Sequence, residues 1–299
     1  MPSWQSYIVH PVLRLLVKRK LEKAFTPVEA RAALGNHPQQ PMRGVSFSAD
    51  IQNVPGEWAK GEAPHTGMML YLHGGGYFAC SAVTHRPITG GFARHGFTVF
   101  APDYRLAPEH PFPAAVEDAL ASYRALLALH GAGRLVVAGD SAGGGLALAT
   151  LLAAREAGLA LPSALVLFSP WTDLAATGAS IQVNAARESM LVAARISEVA
   201  ALYLQGVSPE TPLASPLYAD LAGLPPTLIQ VSEREILLDD SRRVAEKMNA
   251  AGGRAELSIW PNLPHAWQIS QAFLPEARQA LAQAAEFAKS ALASAAVPA

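Results

Sequence analysis

The chain of 299 residues has one cysteine, few charged residues and no long uninterrupted apolar run. Because Cys80 has no second cysteine, an internal disulfide and a cysteine-based zinc site are excluded, and we interpret Cys80 as a small apolar filler. Without a run of about 18 apolar residues, no membrane-spanning helix is expected. The net charge of −1 gives no indication of a nucleic-acid or anionic-lipid binder.

The N-terminal segment does not have the order of a secretory signal peptide. Its basic residues, between Arg14 and Lys20, follow the apolar ones, whereas a signal peptide begins with its positive charges. We therefore expect a cytoplasmic protein. Apolar and basic positions alternate at helical spacing up to about residue 40 and are interrupted by prolines 11, 27, 38 and 41, which predicts one or two short helices.

The chain does contain ample apolar material for one large core, because 51% of its residues are hydrophobic and only 16% are charged. Strands are predicted at residues 68–72, 97–101, 135–138, 164–168, 227–231 and 255–260. Helices are predicted at residues 84–95, 113–130, 142–157, 239–251 and 275–292. Short apolar strands that alternate with helices indicate an α/β fold, with a mostly parallel central sheet covered by helices on both faces.

Two further features complete the predicted architecture. Residues 45–47 and 51–54 alternate like the strands of a hairpin at the sheet edge. A long connection separates the strands at 164–168 and 227–231, and it contains a helical stretch at 193–203. An excursion of that length at the strand ends is usually functional. We expect a single domain over residues 1–299, with a helical cap formed by about 1–42 and about 171–215.

A G-x-S-x-G pattern, Gly139-Asp140-Ser141-Ala142-Gly143, stands between a predicted strand and a predicted helix. In that context a sharp turn holds the serine hydroxyl at the N-terminus of the helix, and the glycines prevent collisions between side chains. Ser141 is therefore the candidate nucleophile. The alternative is a glycine-rich helix start that packs tightly or binds a phosphate.

A second glycine-rich motif, HGGG, occupies residues 73–76 directly after a predicted strand. Glycines can present backbone amides with no side chain in the way. We expect the N–H groups of Gly74, Gly75 and Ala142 to stabilise the oxyanion that a serine nucleophile generates, as oxyanion holes do in acyl transfer.

The candidate base is His265, the only histidine after Ser141 in the sequence. Hydrolases with this serine motif have the nucleophile, the acid and the histidine in that order along the chain. An exposed loop histidine between two tryptophans is the alternative interpretation of His265.

The acid should follow the strand at 227–231, where four carboxylates compete: Glu233, Glu235, Asp239 and Asp240. We favour Glu235 because it lies in the loop proper. Asp239 is the runner-up, since it also fits the first turn of the next helix, where an acidic side chain complements the helix dipole. The carboxylate would hold the tautomer of His265 and stabilise its imidazolium form.

Other ionisable residues near these motifs receive structural interpretations. We expect His73 to shape its loop through hydrogen bonds and Asp140 to bond neighbouring loops. Arg105 should pair with Asp103 or Glu109 and so fix a loop under the site. Turn, cap or surface positions are expected for histidines 10, 37, 65, 95, 110 and 130.

Taken together, these motifs resemble those of the hormone-sensitive-lipase-like (bacterial family IV) esterases, which have the α/β-hydrolase fold. The HGGG at 73–76 resembles the family's oxyanion motif, and YRLAPE at 104–109 with FPA at 112–114 resembles its characteristic loop. GDSAGG at 139–144 resembles the nucleophile elbow, and SPL at 215–217 with LPP at 224–226 resembles the approach to the acid strand. The family usually has Asp-Pro-Leu at the acid position, and Glu235-Ile236-Leu237 looks like a variant of it.

The resemblance implies short-to-medium acyl esters as substrates, no cofactor or metal, and a possible homodimer through the last strand. The hypothesis is a serine carboxylic-ester hydrolase with a triad of Ser141, His265 and Glu235. The alternatives are an amidase or lactonase, or a catalytically weak small-molecule binding protein on the same fold, against which the retained His265 argues. Polar residues mixed into the cap sequence argue against action on long acyl chains: Asp173, Asn184, Arg187, Glu188 and Arg195.

Overall fold

The computed structural model describes residues 2–24, 26–35, 42–50 and 54–295. Their strands are β1 (Val45–Asp50), β2 (Gly56–Gly61), β3 (Gly67–Leu72), β4 (Phe97–Pro102), β5 (Leu135–Asp140), β6 (Ala164–Phe168), β7 (Thr227–Ser232) and β8 (Ala255–Trp260). Their α-helices are α1 (Trp4–Leu13), α2 (Arg19–Lys23), α3 (Pro27–Gly35), α4 (Arg86–Arg94), α5 (Ala114–His130), α6 (Ala142–Glu156), α7 (Ser180–Val183), α8 (Ile196–Leu204), α9 (Leu238–Ala250) and α10 (Pro275–Ala295).

All of these strands belong to one sheet, in the order β1-β2-β4-β3-β5-β6-β7-β8. β2 runs antiparallel to both of its neighbours, and every pair from β4 to β8 is parallel. The predicted, mostly parallel sheet is therefore confirmed. Strands β3, β5, β6 and β7 are buried along their whole length, as expected where helices cover both faces of a parallel sheet.

The two faces of the sheet support two layers of core. Alternate side chains of β3 point to opposite layers. Leu70 and Leu72 belong to the layer that contains residues of α5, α6 and α9, whereas Met69 and Tyr71 belong to the layer that contains residues of α4 and α10. Because successive residues of a strand point to opposite faces, one apolar run supplies both layers. This packing fixes the carboxyl ends of the strands, where the candidate site residues lie.

The predicted strands and helices of the α/β region all appear with small shifts at their ends. The predicted edge hairpin is only half right, because β1 pairs with β2 at Gly56–Gly61 rather than with residues 51–54. Residues 51–53 lie outside the described part of the chain. β2 has glycine at both ends and carries Glu57 and Lys60, so its sequence has a weak strand signal.

The N-terminal segment is more helical than its prolines suggested. α1 runs through Pro11, which was expected to interrupt it, and continues into a π-helical segment at Arg14–Lys18. Pro27 is the first residue of α3, a position that tolerates the missing N–H. The long connection contains α7 and α8, and α8 accounts for the predicted helix at 193–203. Within the described ranges no helix is long and apolar enough to cross a membrane.

Candidate active site

Ser141 lies in a strained turn between β5 and α6, with φ 54° and ψ −123°. The turn also requires that the residues two before and two after Ser141 have no side chains. A Cβ at Gly143 would lie 2.1 Å from the carbonyl oxygen of Leu72, and one at Gly139 would lie 2.4 Å from that of Gly143. The two glycines of the motif are thus required by close backbone contacts, as the sequence pattern predicts.

His265 follows β8, and its Nδ1 lies 2.6 Å from Oε2 of Glu235 in the loop after β7. The other carboxylate oxygen, Oε1, accepts hydrogen bonds from the Ser169 hydroxyl at 2.8 Å and the Ser232 amide at 2.7 Å. Glu235 is fully buried and His265 almost so. The carboxylate is therefore fixed at both oxygens, which also fixes the orientation of the imidazole ring.

The second ring nitrogen of His265, Nε2, has no hydrogen-bond partner among the described residues. Ser141 and His265 line the same cavity. A histidine held at Nδ1 by a carboxylate, with Nε2 unpaired in the same cavity as a serine, can act as a general base toward that serine or toward water.

Two opposing effects act on the pKa of His265. Burial lowers it, whereas the hydrogen bond and the negative charge of Glu235 raise it, and the pKa is raised overall. For Glu235, burial raises the pKa and the contact with His265 opposes that change only in part. Glu188, a second buried carboxylate, raises the pKa of both groups. A more basic histidine is a stronger proton acceptor once it is neutral.

The three competing carboxylates all contact other partners. Asp239 accepts a hydrogen bond from the Ser180 amide at 2.8 Å and pairs with Arg242. Glu233 pairs with Arg187 at 3.3 Å. Asp240 accepts hydrogen bonds from the amides of residues 172 and 173, and burial raises its pKa to about 7. Of the four carboxylates considered, Glu235 is the one in contact with His265.

The predicted oxyanion hole needs one correction. The Gly74 amide donates to Oδ1 of Asp140 at 3.0 Å, so it is not available to an oxyanion. The amides of Gly75, Gly76 and Ala142 donate no hydrogen bond within the described ranges, and Gly75 and Gly76 line the cavity. Gly75 and Gly76 have φ of 117° and 62°, which the sequence motif accommodates because glycine tolerates positive φ.

Asp140 joins the glycine-rich loop to the elbow, as its sequence interpretation proposed. Its carboxylate accepts hydrogen bonds from the Tyr71 hydroxyl at 2.6 Å and the Gly74 amide, and it lies 3.2 Å from Nε2 of His85. Burial raises the pKa of Asp140, but His85 and Tyr71 outweigh this and lower it. His73 donates from Nδ1 to the Gly74 carbonyl at 2.8 Å, and burial lowers its pKa to about 3, so it acts in the loop as a neutral group.

The expected partners of Arg105 are wrong. Arg105 pairs with Glu117 and Asp118 at the start of α5. Glu109 pairs instead with Arg31 of α3, which also donates to the carbonyl groups of Phe78 and Ala107 in two neighbouring loops. The partners of Arg105 were predicted from proximity in sequence. In the structure, Arg105 finds its partners at the start of α5, and Glu109 finds its partner in the N-terminal segment.

His10 is also misassigned, because it is buried rather than at the surface. Its Nδ1 lies 2.9 Å from the Ser189 hydroxyl and its Nε2 lies 3.3 Å from the Asn262 carbonyl. Burial lowers its pKa. His37 lies outside the described residues. Cys80 borders the cavity, and burial raises the pKa of its thiol to about 12, which fits an unreactive side chain.

Sequence reasoning missed four residues that support the Glu235–His265 pair: Ser169, Asn184, Glu188 and Ser232. The side-chain amide of Asn184 donates to the backbone carbonyl of Glu235 at 2.8 Å. Glu188 accepts hydrogen bonds from the amides of Ser189 and Met190, both at 2.8 Å. Ser169 directly follows β6, and Ser232 is the last residue of β7. Their position at the carboxyl edge of the sheet was the one feature of the sequence that could have indicated a role in the site.

The cavity has a volume of about 350 Å³, and most of its wall is apolar. The N-terminal segment contributes Leu21, Thr26, Pro27, Ala30 and Leu34, and the long connection contributes Met190, Leu191, Val192, Arg195, Ile196, Glu198, Val199 and Leu202. Of the polar residues thought to make the cap unsuitable for long chains, Arg195 alone is in this wall; Asp173, Asn184, Arg187 and Glu188 bond to protein groups instead. In the described ranges no cluster of three His, Cys, Asp or Glu side chains could hold a metal ion.

Known proteins are similar to this chain over nearly its whole length. The family model described as alpha/beta hydrolase fold matches residues 69–269. An acetyl-hydrolase of Streptomyces hygroscopicus is 43% identical over 265 residues, which cover 88% of this chain and 87% of the relative. A crystal structure of an esterase from the bacterial hormone-sensitive lipase family has a TM-score of 0.90 at 43% identity, and 98% and 99% of the two chains are covered. The crystal structure of EstE5 soaked by p-nitrophenyl butyrate has a TM-score of 0.91 at 36% identity, with 97% and 99% covered.

Fold, nucleophile elbow and similarity together define the class of protein. The chain belongs to the α/β-hydrolase family, and within it to the hormone-sensitive-lipase-like esterases. Its activity is that of a carboxylesterase.

Proposed function

We propose that the protein hydrolyses short-to-medium acyl esters through a triad of Ser141, His265 and Glu235. The observation that carries this proposal is the contact of 2.6 Å between Glu235 and His265 Nδ1, with the unpaired Nε2 in the same cavity as Ser141. A serine hydroxyl is a weak nucleophile until a neighbouring base removes its proton. The pair supplies that base, and the strained elbow presents the hydroxyl.

The reaction proceeds in two halves. Ser141 Oγ attacks the ester carbonyl carbon while His265 takes the hydroxyl proton, and the carbonyl oxygen becomes an oxyanion. His265 then gives the proton to the leaving alcohol as the carbon–oxygen bond breaks, which leaves an acyl-enzyme. Water, deprotonated by His265, attacks the acyl group, and the carboxylic acid leaves as Ser141 recovers its proton. Glu235 stays ionised throughout and stabilises the imidazolium form.

The oxyanion is stabilised by the amides of Gly75, Gly76 and Ala142. The support for this set is that these three N–H groups have no acceptor among the described residues, whereas that of Gly74 is bonded to Asp140. Ala142 is also the first residue of α6, whose positive N-terminal end adds to the stabilisation of the oxyanion.

We further propose that the N-terminal helices and the connection between β6 and β7 form a cap over this site. Both segments supply apolar side chains to the cavity wall. A volume of about 350 Å³ lies near the lower end of the roughly 300–1,000 Å³ range of small-molecule sites, which favours short acyl groups. The similar EstE5 was soaked by p-nitrophenyl butyrate, an ester of this size.

The decisive experiment compares Ser141→Ala with Ser163→Ala on p-nitrophenyl butyrate. Ser163 precedes β6 and is absent from the cavity wall, so its variant is the matched control. We expect the first variant to lose roughly 10⁴-fold or more in kcat and the control to keep its activity. Labelling with a small organophosphate should modify the Ser141 peptide and no other. Unchanged turnover in Ser141→Ala would refute the proposal.

Substrate length and bond type are tested with the same enzyme. With p-nitrophenyl esters from acetyl to palmitoyl, kcat/KM should peak at short-to-medium chains and fall once the acyl group exceeds the cavity. A maximum at palmitoyl would contradict this expectation. Butyryl p-nitroanilide and γ-butyrolactone test the amidase and lactonase alternatives, and we expect both to react more slowly than the ester.

A further inference from the structure

The first helical segment turns its apolar side chains away from the protein. Most large hydrophobic side chains of the described residues are buried or half-buried, yet six between residues 4 and 16 are exposed by 42% or more. They form what we call the outer face of α1: Trp4, Tyr7, Ile8 and Val12 in α1 itself, with Leu15 and Leu16 in the π-helical segment that continues it. Within α1, the spacing of three or four places these side chains on one side of the helix. Phe273 extends this face, since its ring contacts Trp4 edge-on at 6.2 Å.

The opposite side of the same segment is attached to the protein by hydrogen bonds and by the buried side chains of Val9 and Val17. The Ser3 amide and hydroxyl donate to Glu276, and Asn262 donates to the Ser6 hydroxyl at 3.1 Å. His10 contacts Ser189 at 2.9 Å. An ordinary surface helix buries its apolar stripe and exposes its polar one, whereas this segment buries Val9 and Val17 and leaves most of its other large apolar side chains exposed.

Two basic side chains continue this attachment. Arg14 donates to the carbonyl of Ala186 at 2.7 Å, and Lys18 donates to that of Glu188 at 2.8 Å. These bonds fix the rotation of the segment, because a roll that buried the outer face would break them. Single exposed apolar residues are common on soluble proteins, whereas a continuous stripe marks a surface that binds something apolar.

The charge around the outer face indicates which apolar partner it fits. Exposed Arg19, Lys20 and Lys23 follow it in α2 and have no ion pair among the described residues. With Arg14 and Lys18, the first 24 residues contain five basic side chains, and Glu22 is their only acidic one. A second copy of this chain would bring the same positive charge, whereas an anionic lipid surface complements it.

We propose that the outer face of α1 is a docking surface for an anionic lipid membrane, on which the helix lies in the plane of the headgroups. Apolar side chains would enter the boundary with the acyl chains while Arg19, Lys20 and Lys23 contact the headgroups. Trp4 and Tyr7 have the amphipathic rings that favour this depth. The same segment supplies Leu21 to the cavity wall, so docking brings the wall close to a phase in which apolar esters concentrate.

Lipid binding is measured with vesicles and the full chain, and it does not depend on the proposed catalysis. Ser141→Ala protein is mixed with vesicles of phosphatidylcholine, with or without 30% phosphatidylglycerol, and the bound fraction is determined by flotation. We expect binding to the anionic vesicles that weakens as salt is raised, and little binding to the neutral ones.

Two variants separate the apolar and the charged contributions. Ile8→Gln with Leu15→Gln should lower the partition coefficient by about tenfold or more, since two apolar side chains no longer enter the lipid. Its control is Leu129→Gln with Val183→Gln, two apolar side chains that are even more exposed and lie elsewhere on the surface. Replacing Arg19, Lys20 and Lys23 with Gln should also cost about tenfold at low salt. Its control removes the same charge at exposed positions Lys60, Arg124 and Arg134.

With Ser141 intact, the outer-face and charge variants and their controls should retain hydrolysis of soluble p-nitrophenyl butyrate, which shows that they are folded, because none of their replaced residues lines the cavity. Equal binding of the outer-face variant and its control would overturn the proposal. A second result would also overturn it: wild-type protein that is a dimer and does not bind vesicles, while the variant Ile8→Gln with Leu15→Gln is a monomer. A second copy of the chain would then cover this face. Failure of Ser141→Ala to abolish hydrolysis would refute the proposed function and leave the lipid result standing.

Discussion

Asp140 accepts a hydrogen bond from the backbone amide of Gly74 at 3.0 Å, which joins the residue before the nucleophile to the glycine-rich loop. A Cβ at Gly74 would lie 2.2 Å from Oδ2 of Asp140, so the contact requires glycine. The first glycine of the HGGG motif therefore anchors the loop, and the next two glycines are left to present their amides. Tyr71 contacts the same carboxylate at 2.6 Å and supports the anchor.

This anchor predicts a graded loss of activity. Asp140→Ala removes the acceptor of the Gly74 amide, so the amides of Gly75 and Gly76 lose their fixed position, and we expect kcat to fall about 10²-fold, as when one oxyanion donor is removed. Tyr71→Phe removes a single hydrogen bond from the carboxylate and should cost less. Steady-state kinetics on p-nitrophenyl butyrate, with the melting temperature of each variant, tests this.

Asp118→Ala is the control, since Asp118 pairs with Arg105 away from the cavity. Should Asp140→Ala keep a kcat close to that of Asp118→Ala, the loop would hold its position without the anchor and this interpretation would fail.

The identity of the acid predicts a difference between two neighbouring carboxylates. Glu235→Gln keeps the shape of the side chain but removes the charge that stabilises the His265 imidazolium, and its amide can favour the wrong tautomer. We expect kcat to fall by roughly 10³–10⁴-fold, as in the corresponding change in a serine protease. Asp239→Asn should stay near wild type, because Asp239 contacts Ser180 and Arg242 rather than His265. A larger loss in Asp239→Asn would reverse the assignment.

The raised pKa of His265 predicts the acidic limb of the pH profile. In the proposed mechanism neutral His265 is the active base, so kcat/KM should rise as the pH increases through its pKa. Because Glu235 raises this pKa against the effect of burial, the midpoint should lie above the ordinary value of about 6.5. In Glu235→Gln the residual activity should have its midpoint at lower pH. A wild-type midpoint well below 6 would mean that burial outweighs the carboxylate.

The sequence was sufficient for features that depend on neighbouring residues. Alternating apolar segments predicted the sheet and its covering helices, and the pattern around Ser141 predicted a turn whose glycines avoid backbone contacts. The order of motifs along the chain singled out His265. Glu235 was preferred from its position in the loop, and the structure brings these two side chains into contact.

The errors concern residues whose role depends on distant partners. Nothing local in the sequence indicates that the Gly74 amide is bonded to Asp140, which lies 66 residues away. His10 was taken as a surface residue because its contacts, Ser189 and Asn262, come from segments far along the chain. A whole-chain net charge of −1 also hid the local excess of basic residues that follow the outer face of α1 along the chain.

Glu188 gives the last prediction, because it acts on His265 without contacting it. This buried carboxylate accepts the amides of Ser189 and Met190, and its charge raises the pKa of His265. Glu188→Gln keeps an oxygen that can accept these amides but removes the charge, so the acidic limb of kcat/KM should move to lower pH with little change in the plateau. Glu188→Ala also removes the acceptor, which loosens a segment that supplies Met190 and Leu191 to the cavity wall, and KM should rise as well.

The matched control is Glu210→Gln, which removes an exposed carboxylate away from the cavity and should leave the pH profile unchanged. A shift of the limb in Glu188→Gln but not in this control would assign the effect to the buried charge rather than to net charge. Identical profiles in the two variants would show that Glu188 serves only as the acceptor of the two amides. In that case Glu188→Ala should still raise KM, because the loss of a buried acceptor does not depend on pH.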